Sequence, residues 1–316
     1  MNKEILLSFH TNIAANANPN TQNGCVVAVG GFDGVHIGHL SLIKSLTDQA
    51  KRLSLPAVVF MFDYFDNPKN GNQMLLSPNL GASILMDNGV DIVLTAPFSK
   101  IKSVSATDFV TEFLYKGLGA KSVICGYDFR FGNNREGDSV LISNLLSGKG
   151  VSVITPPPVL ENGTPVSATL IRNLIAKGDI KQANRLLCRS FGFVNPVVHG
   201  AKLGRTLGFP TINQQYPQTM VKPPYGVYLT TVKIEGKNYY GITNFGVKPT
   251  VSAGEVPTCE TYIFHYNGDC YGKVARLYFL DFIRPEQKFA SVEQLKEQIE
   301  KDKSYALKLL AEGERL

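Results

Sequence analysis

A chain of 316 residues with 44% hydrophobic and 18% charged content is long enough for two globular cores, and its composition excludes intrinsic disorder. Its 32 Lys and Arg outweigh 26 Asp and Glu for a net charge of +6, which suits phosphate-bearing ligands, but without a basic run nucleic-acid binding is not indicated. No stretch reaches the roughly 18 apolar residues of a membrane helix, and the opening MNKEILLSFH is too short in its apolar run for a signal peptide.

The five cysteines, Cys25, Cys125, Cys188, Cys259 and Cys270, are widely separated and form no C-x-x-C pair, so neither a disulfide framework nor a metal knuckle is suggested. Reduced, mostly buried thiols and a cytoplasmic location are expected. The stretch 10–24 holds five asparagines and no hydrophobic period, and reads as a flexible N-terminal loop.

Residues 26–39, VVAVGGFDGVHIGH, read as a buried strand, a glycine-rich turn and the mouth of a helix. Gly30, Gly31, Gly34 and Gly38 let backbone N–H groups approach a bulky anion, and His36 and His39 place imidazoles beside the helix terminus. That chemistry suits a polyphosphate. A zinc site is disfavoured, because no third ligand follows at a recognisable spacing. Leu40, Ile43, Leu46, Ala50 and Leu53 recur at helical spacing and are expected to cover a sheet.

Further strands are predicted over 57–62, 91–95, 122–126 and 151–155, alternating with helices over 80–88, 106–115 and 138–146 that stop at Gly89 and Gly117. This alternation predicts a Rossmann-like α/β domain with a parallel sheet, whose ligands gather beyond the carboxyl ends of the strands. The loop GYDFRFGNNREGD, 126–138, falls there too and mixes Asp128, Arg130, Asn133, Asn134 and Arg135 with Phe129 and Phe131, groups able to stack on a ring and bind phosphate. In PVSATLIRNLIAKGD, Ser167 or Thr169 can cap a helix ending near Gly178, with Arg172 about one turn inside it.

Beyond residue 187 the texture changes to short alternating runs over 225–234, 237–244, 259–266 and 274–283, which predict a small antiparallel β-barrel. Hairpin turns are expected at Glu235-Gly236 and, more strongly, at Asn267-Gly268. A final helix is expected after Ser291, with Gln294 completing its cap and Leu295, Ile299, Leu307 and Leu310 packing across the barrel. The boundaries are thus 1–186 and 187–316.

Within the barrel, HGAKLGRTLGFPTIN, 199–213, surrounds Lys202 and Arg205 with Gly200, Gly204 and Gly208, as in a phosphate flap. Thr211 and Asn213, two apart on an extended run, point to one side, so an oxygen from each can reach a single Mg-nucleotide complex.

The ordered set GGFDGVHIGH, GYDFRFG, SATLIR, GRTLGFPTIN, NFGVKPT, CETYIF and FIRPEQKF resembles the prokaryotic bifunctional riboflavin kinase/FMN adenylyltransferases, or FAD synthetases, over about 26–301. The resemblance implies a first domain of the nucleotidyltransferase superfamily that transfers an adenylyl group from ATP to FMN, releasing pyrophosphate. His36 and His39 would bind the ATP phosphates and stabilise charge on the transferring and leaving groups. Gly30, Phe32 and Asp33 would shape the nucleotide pocket, and Asp128, Ser167, Thr169 and Arg172 would complete it. The second domain would phosphorylate the ribityl 5′-hydroxyl of riboflavin with Mg-ATP. There Thr211 and Asn213 would hold metal and phosphates, Glu260 would deprotonate the hydroxyl, and the segment of Arg284, Glu286 and Phe289 would cover the flavin ring.

The implied partners are the small molecules ATP, riboflavin and FMN, with Mg²⁺ as the metal; nothing in the sequence speaks to oligomeric state. Where the family has Phe-x-Pro-His-Pro, this chain has Phe62-Asp63-Tyr64-Phe65-Asp66, and Ala168 stands where a serine is common. Both departures touch the adenylyltransferase half, so a kinase with a weakened first domain is the competing enzymatic reading. A flavin-sensing or RNA-binding regulator is the competing non-enzymatic one, against which stand Thr211, Asn213 and Glu260, since a sensor needs no proton acceptor.

Overall fold

The computed structural model describes residues 10–13, 23–63, 73–200, 204, 207–247 and 256–313. Its packing divides the chain into two units, Met1–Ala168 and Thr169–Leu316.

In the first unit, five parallel strands, β2 (Cys25–Gly30), β3 (Ala57–Asp63), β4 (Ile92–Pro97), β5 (Ala120–Cys125) and β6 (Ser152–Ile154), form a sheet with β1 (His10–Ile13) added antiparallel to β4. The order is β1-β4-β3-β2-β5-β6. Within β2 and β3 alternate residues face opposite cores: Val27, Val29, Val58 and Phe60 pack on one side, Val26, Ala28, Val59 and Met61 on the other. A sheet buried on both faces explains why these strands read as continuous apolar runs. Helices α1 (Ile37–Leu53) and α2 (Pro78–Asp87) cover one face through Ile43, Leu46, Ala82 and Leu85. A π-helix, Phe109–Gly117, and α3 (Ser139–Leu146) cover the other through Phe109, Phe113 and Ile142.

Three local expectations change. His10–Ile13 is a strand rather than loop, because the unpaired edge of β4 supplies the ladder that its own sequence pattern does not signal. Leu53 is 39% exposed, lying in the last turn of α1 beside its C-cap, Ser54. After the π-helix it is Gly119, with φ 63, rather than Gly117 that turns left-handed. The thiols of Cys25, Cys125, Cys259 and Cys270 are buried and only Cys188 is exposed; burial pushes the Cys25 thiol up to about 12.

A two-residue pair of strands, β7 (Leu160–Glu161) and β8 (Thr164–Pro165), ends the first unit, and α4 (Ala168–Ala176) spans the junction. Helix α5 (Ile180–Leu187) belongs by packing to the second unit, although all of its residues but Leu187 fall before the boundary at 186/187 drawn from sequence texture. Asn184 explains this: its Nδ2 donates to Phe279 O at 2.8 Å and its Oδ1 accepts from Phe191 N at 2.7 Å.

The second unit is a curled six-stranded antiparallel half-barrel in the order β10-β13-β12-β11-β14-β9, built from β9 (Phe191–Pro196), β10 (Thr211–Gln215), β11 (Gly226–Ile234), β12 (Lys237–Val247), β13 (Pro257–Ile263) and β14 (Val274–Pro285). Its edges meet in one bridge, Val198 with Asn213, reinforced where Gln214 Nε2 donates to Asn195 O and Ala275 O at 2.8 and 3.0 Å.

Glu235-Gly236 is a two-residue hairpin turn with both φ positive, 49° and 83°. Asn267-Gly268 is not a hairpin. Strand β13 pairs with β10 and β12 and never with β14, so these residues lie in a crossover whose Asp269 carboxylate accepts from Tyr271 N. The final helix, α6 (Val292–Gly313), is capped as expected, Ser291 Oγ accepting from Gln294 N and Gln294 Oε1 from Ala290 N. It packs through Ile299, Ala306, Leu309 and Leu310, while Leu307, one position off that stripe, is 41% exposed.

Inside the half-barrel the hydroxyls of Thr230, Thr243 and Thr261 are fully buried, with Thr243 2.8 Å from each of the other two. Thr243→Val keeps the shape but removes the shared partner. A loss of about 1–3 kcal/mol is expected, read as a lowered urea midpoint for the second unit's unfolding.

Candidate functional site

The strand order reverses direction between β2 and β5, and in parallel sheets the crevice beyond that point collects ligands. The glycine-rich turn leaves β2 and the 126–138 loop leaves β5, so both predicted segments flank it.

The turn is built from unusual backbone: Phe32, Gly34 and Val35 have φ of 46°, 80° and 37°. Left-handed non-glycine residues are strained and persist where the surroundings fix them. Here Phe32 and Val35 are buried to 1% and 0%, so packing sets the turn before any ligand arrives. Phe32 therefore supports the site from below rather than lining it. Asp33 accepts the Leu75 amide at 3.0 and 3.3 Å through its two oxygens, which ties the turn to the chain before α2.

His36 caps α1, its Nδ1 accepting from His39 N at 3.4 Å, and the two imidazoles stack at 3.7 Å and 19°. His36 is 4% exposed and His39 half-buried above Phe32 at 5.1 Å, so His39 is the more accessible ring. A Cβ on Gly38 would lie 3.1 Å from the His36 ring and 3.3 Å from Val166 O, which accounts for glycine between the histidines. Gly30 is similarly close to Phe32, at 3.1 Å.

In the second loop Asp128 is exposed, whereas Phe131 is buried in the core and Phe129 stacks between Phe62 and Phe131 at 6.2 and 5.3 Å. Phe131 is thus committed to the fold, not offered to a ring. Arg130 pairs with Asp138, the N-cap of α3, at 3.2 Å. Ser167 immediately precedes α4, and Thr169 and Arg172 lie in its first turns, on the second unit's side of the division. Tyr64, Phe65 and Asp66 lie outside the described residues, as do Lys202 and Arg205.

In the second unit, register brings the predicted kinase residues together. Asn213 on β10 and Asn244 on β12 both sit directly opposite Glu260 on β13, and Thr211 is opposite Tyr262. Directly opposed residues share a face, so Asn213, Glu260 and Asn244 form one polar row across three strands, with Thr211 on the same face one pair along. Gly200 closes over it: a Cβ there would lie 2.3 Å from Asn213 Nδ2. Gly204 is held by Phe209 N, which donates to its carbonyl at 2.8 Å, and a Cβ on it would meet Phe209 O at 2.4 Å.

Thr211, Glu260 and Asn244 line a cavity of about 590 Å³ between the outer face of the sheet and α6, together with Gly204, Leu207, Phe209, Val227, Ile242, Tyr262, Leu295, Ile299, Asp302 and the segment from Arg284 through Glu286, Gln287 and Lys288 to Phe289. Sequence reasoning missed Asn244, Tyr262, the apolar floor and Asp302. The first three depend on strand register; only Asp302, a charge on an apolar helical stripe, carried a signal of its own.

The riboflavin kinase family model matches residues 187–310 and the FAD synthetase family model residues 18–170. The bifunctional riboflavin kinase/FMN adenylyltransferase of Pseudomonas fluorescens is 37% identical over 293 residues, 91% of this chain and 94% of that protein. The chain belongs to the bifunctional riboflavin kinase/FMN adenylyltransferase family. Members from Escherichia coli K12 and Bacillus subtilis are 35% and 30% identical over 89% and 90% of the chain, and 91% and 92% of their own lengths. A solved structure titled as a macrolide-efflux protein from Streptococcus pneumoniae shares the fold at TM-score 0.81 and 31% identity, covering 93% of this chain and 95% of its own.

As a bifunctional riboflavin kinase/FMN adenylyltransferase, the enzyme works on the route from riboflavin through FMN to FAD. Among the described residues no helix is long and apolar enough to cross a membrane.

Proposed function

We propose that the two reactions are carried by two sites, one in each unit. The polar row opening into the cavity of the second unit carries the kinase assignment. Glu260 accepts the proton of the riboflavin 5′-hydroxyl as its oxygen attacks the γ-phosphorus of ATP, and ADP leaves. Asn213 and Asn244 flank the carboxylate and orient it, Gly200, Lys202, Gly204 and Arg205 form the phosphate flap, and the apolar floor excludes water.

A divalent cation fits this end of the cavity. Thr211 and Asn213 offer hard oxygen donors on one side of β10, and the bare Cα of Gly200 leaves the Asn213 carboxamide space that a Cβ would fill. We assign Thr211 and Asn213 to Mg²⁺, which when bound neutralises phosphate charge.

In the first unit an oxygen of the FMN phosphate attacks the α-phosphorus of ATP and pyrophosphate leaves. His39 donates to the phosphates from the mouth of α1, with His36 beneath it fixing the helix cap and the ring stack. Gly30, Phe32, Asp33 and Gly38 shape the turn, Asp128 and Ser167 complete the nucleotide and FMN contacts, and Thr169 and Arg172, just beyond the division at residue 168, are assigned to the same reaction on the family resemblance alone. Functionally we keep 1–186 with adenylyl transfer and 187–316 with the kinase, as the start of the kinase match at 187 supports. ATP as the shared donor goes with a cytoplasmic place of work.

Separate turnover assays test this reading. Riboflavin with Mg-ATP is expected to give FMN, and FMN with Mg-ATP to give FAD and pyrophosphate. FMN output with no detectable FAD would assign a binding role to the first domain, and FMN formation that persists in excess chelator would overturn the metal assignment.

A further inference from the structure

Helix α6 reaches the kinase cavity through a single buried charge. Asp302 is 3% exposed and sits on the same stripe as Ile299 and Ala306. Its carboxylate takes Arg284 from β14 by both Nε, at 2.9 and 3.0 Å, and Nη2, at 2.8 Å, while Gln298 Nε2 adds a bond to Oδ1 at 2.8 Å. Arg284 Nη1 is turned to Pro285 O at 3.0 Å, and its guanidinium lies 5.9 Å from the ring centre of Phe289. Arg284, Phe289 and Asp302 all line the cavity.

Desolvating an ion pair is costly, so a forked, buried pair like this one contributes geometry more reliably than stability. Most donors of Arg284 are already committed inside the protein. Val227 sits opposite both Arg284 and Asn244, so Arg284 closes the row at its β14 end, three strands and about 14 Å at ordinary inter-strand spacing from Glu260 on β13. A phosphate ligand would sit at the opposite end of that row. The cavity wall that Arg284 shares carries the ring of Phe289 and the apolar Leu295, Ile299 and Val227, its partner on β11, beside the polar Glu286, Gln287 and Lys288.

We infer that Asp302 is a positioning residue for flavin recognition: it locks the guanidinium of Arg284 and, through it, the ring of Phe289 into a preset wall against which the planar flavin ring of riboflavin lies. Arg284 is part of that wall and does not hold the phosphates of ATP. This rests on the kinase reading of the same cavity.

The test uses the full chain, with riboflavin affinity measured by flavin fluorescence without ATP, and kinase kcat and KM for each substrate. Asp302→Asn and Arg284→Lys are each expected to weaken riboflavin binding and raise its KM about tenfold, with KM for ATP and kcat within about threefold of wild type. The double variant is expected to be no worse than either single one, since both break one unit. FAD formation from supplied FMN stays unchanged. Should Asp302→Asn fail to fold, Gln298→Ala removes only the outer hydrogen bond and is expected to weaken riboflavin about two- to threefold. A rise in KM for ATP in Arg284→Lys, with riboflavin affinity intact in Asp302→Asn or Gln298→Ala, overturns the inference. A wild-type chain that binds riboflavin without phosphorylating it defeats the kinase reading instead, and the affinity comparison still decides the role of Asp302.

Discussion

His39→Ala is expected to abolish FAD formation from FMN, by about 10²-fold or more, while riboflavin phosphorylation stays within a few-fold of wild type. The loss follows from geometry. His39 is the accessible member of a stacked pair at the start of α1, where backbone N–H groups and helix dipole already favour an anion. Alanine removes the donor while leaving the His36 ring, whose cap accepts from the backbone of residue 39 and survives the change. Measuring both products on one preparation makes the result decisive: a folded variant that loses both activities contradicts two separate sites.

Glu260→Gln is expected to give the complementary pattern, a fall of about 10²–10⁴-fold in kcat for FMN formation with little change in either KM. Gln retains the size of the side chain opposite Asn213 and Asn244, so the register and cavity persist and only the proton acceptor is lost. FAD formation from supplied FMN is expected to continue at the wild-type rate. Retained FMN formation would remove Glu260 from the chemistry.

Much of this was legible in the residues because the relevant signals are local. Buried parallel strands announce themselves as apolar runs, and the GGFDGVHIGH turn carries its glycines, histidines and helix start within ten positions. The antiparallel half was harder. Asn-Gly at 267–268 is a strong hairpin signal, yet the strands on either side of it join different neighbours, a choice made by pairing partners far away in sequence. The weaker Glu235-Gly236 makes the true turn, its glutamate held left-handed by the ladder of β11 and β12. For the same reason Glu260 gained a role only through family likeness, and Asn244, though it opens the NFGVKPT motif, gained none: neither has meaning until register sets them side by side. Phe131 shows the opposite error, an aromatic in a polar loop that looked available and is core.

The two bonds of Asn184 bear on how the kinase half can be produced alone. A fragment cut at the boundary suggested by sequence texture would strip the amide of Phe191 and the carbonyl of Phe279 of the Asn184 bridge, and with it the helix that packs on β14. A kinase piece that keeps this bridge therefore begins ahead of residue 180, inside what the motif pattern assigns to the other activity.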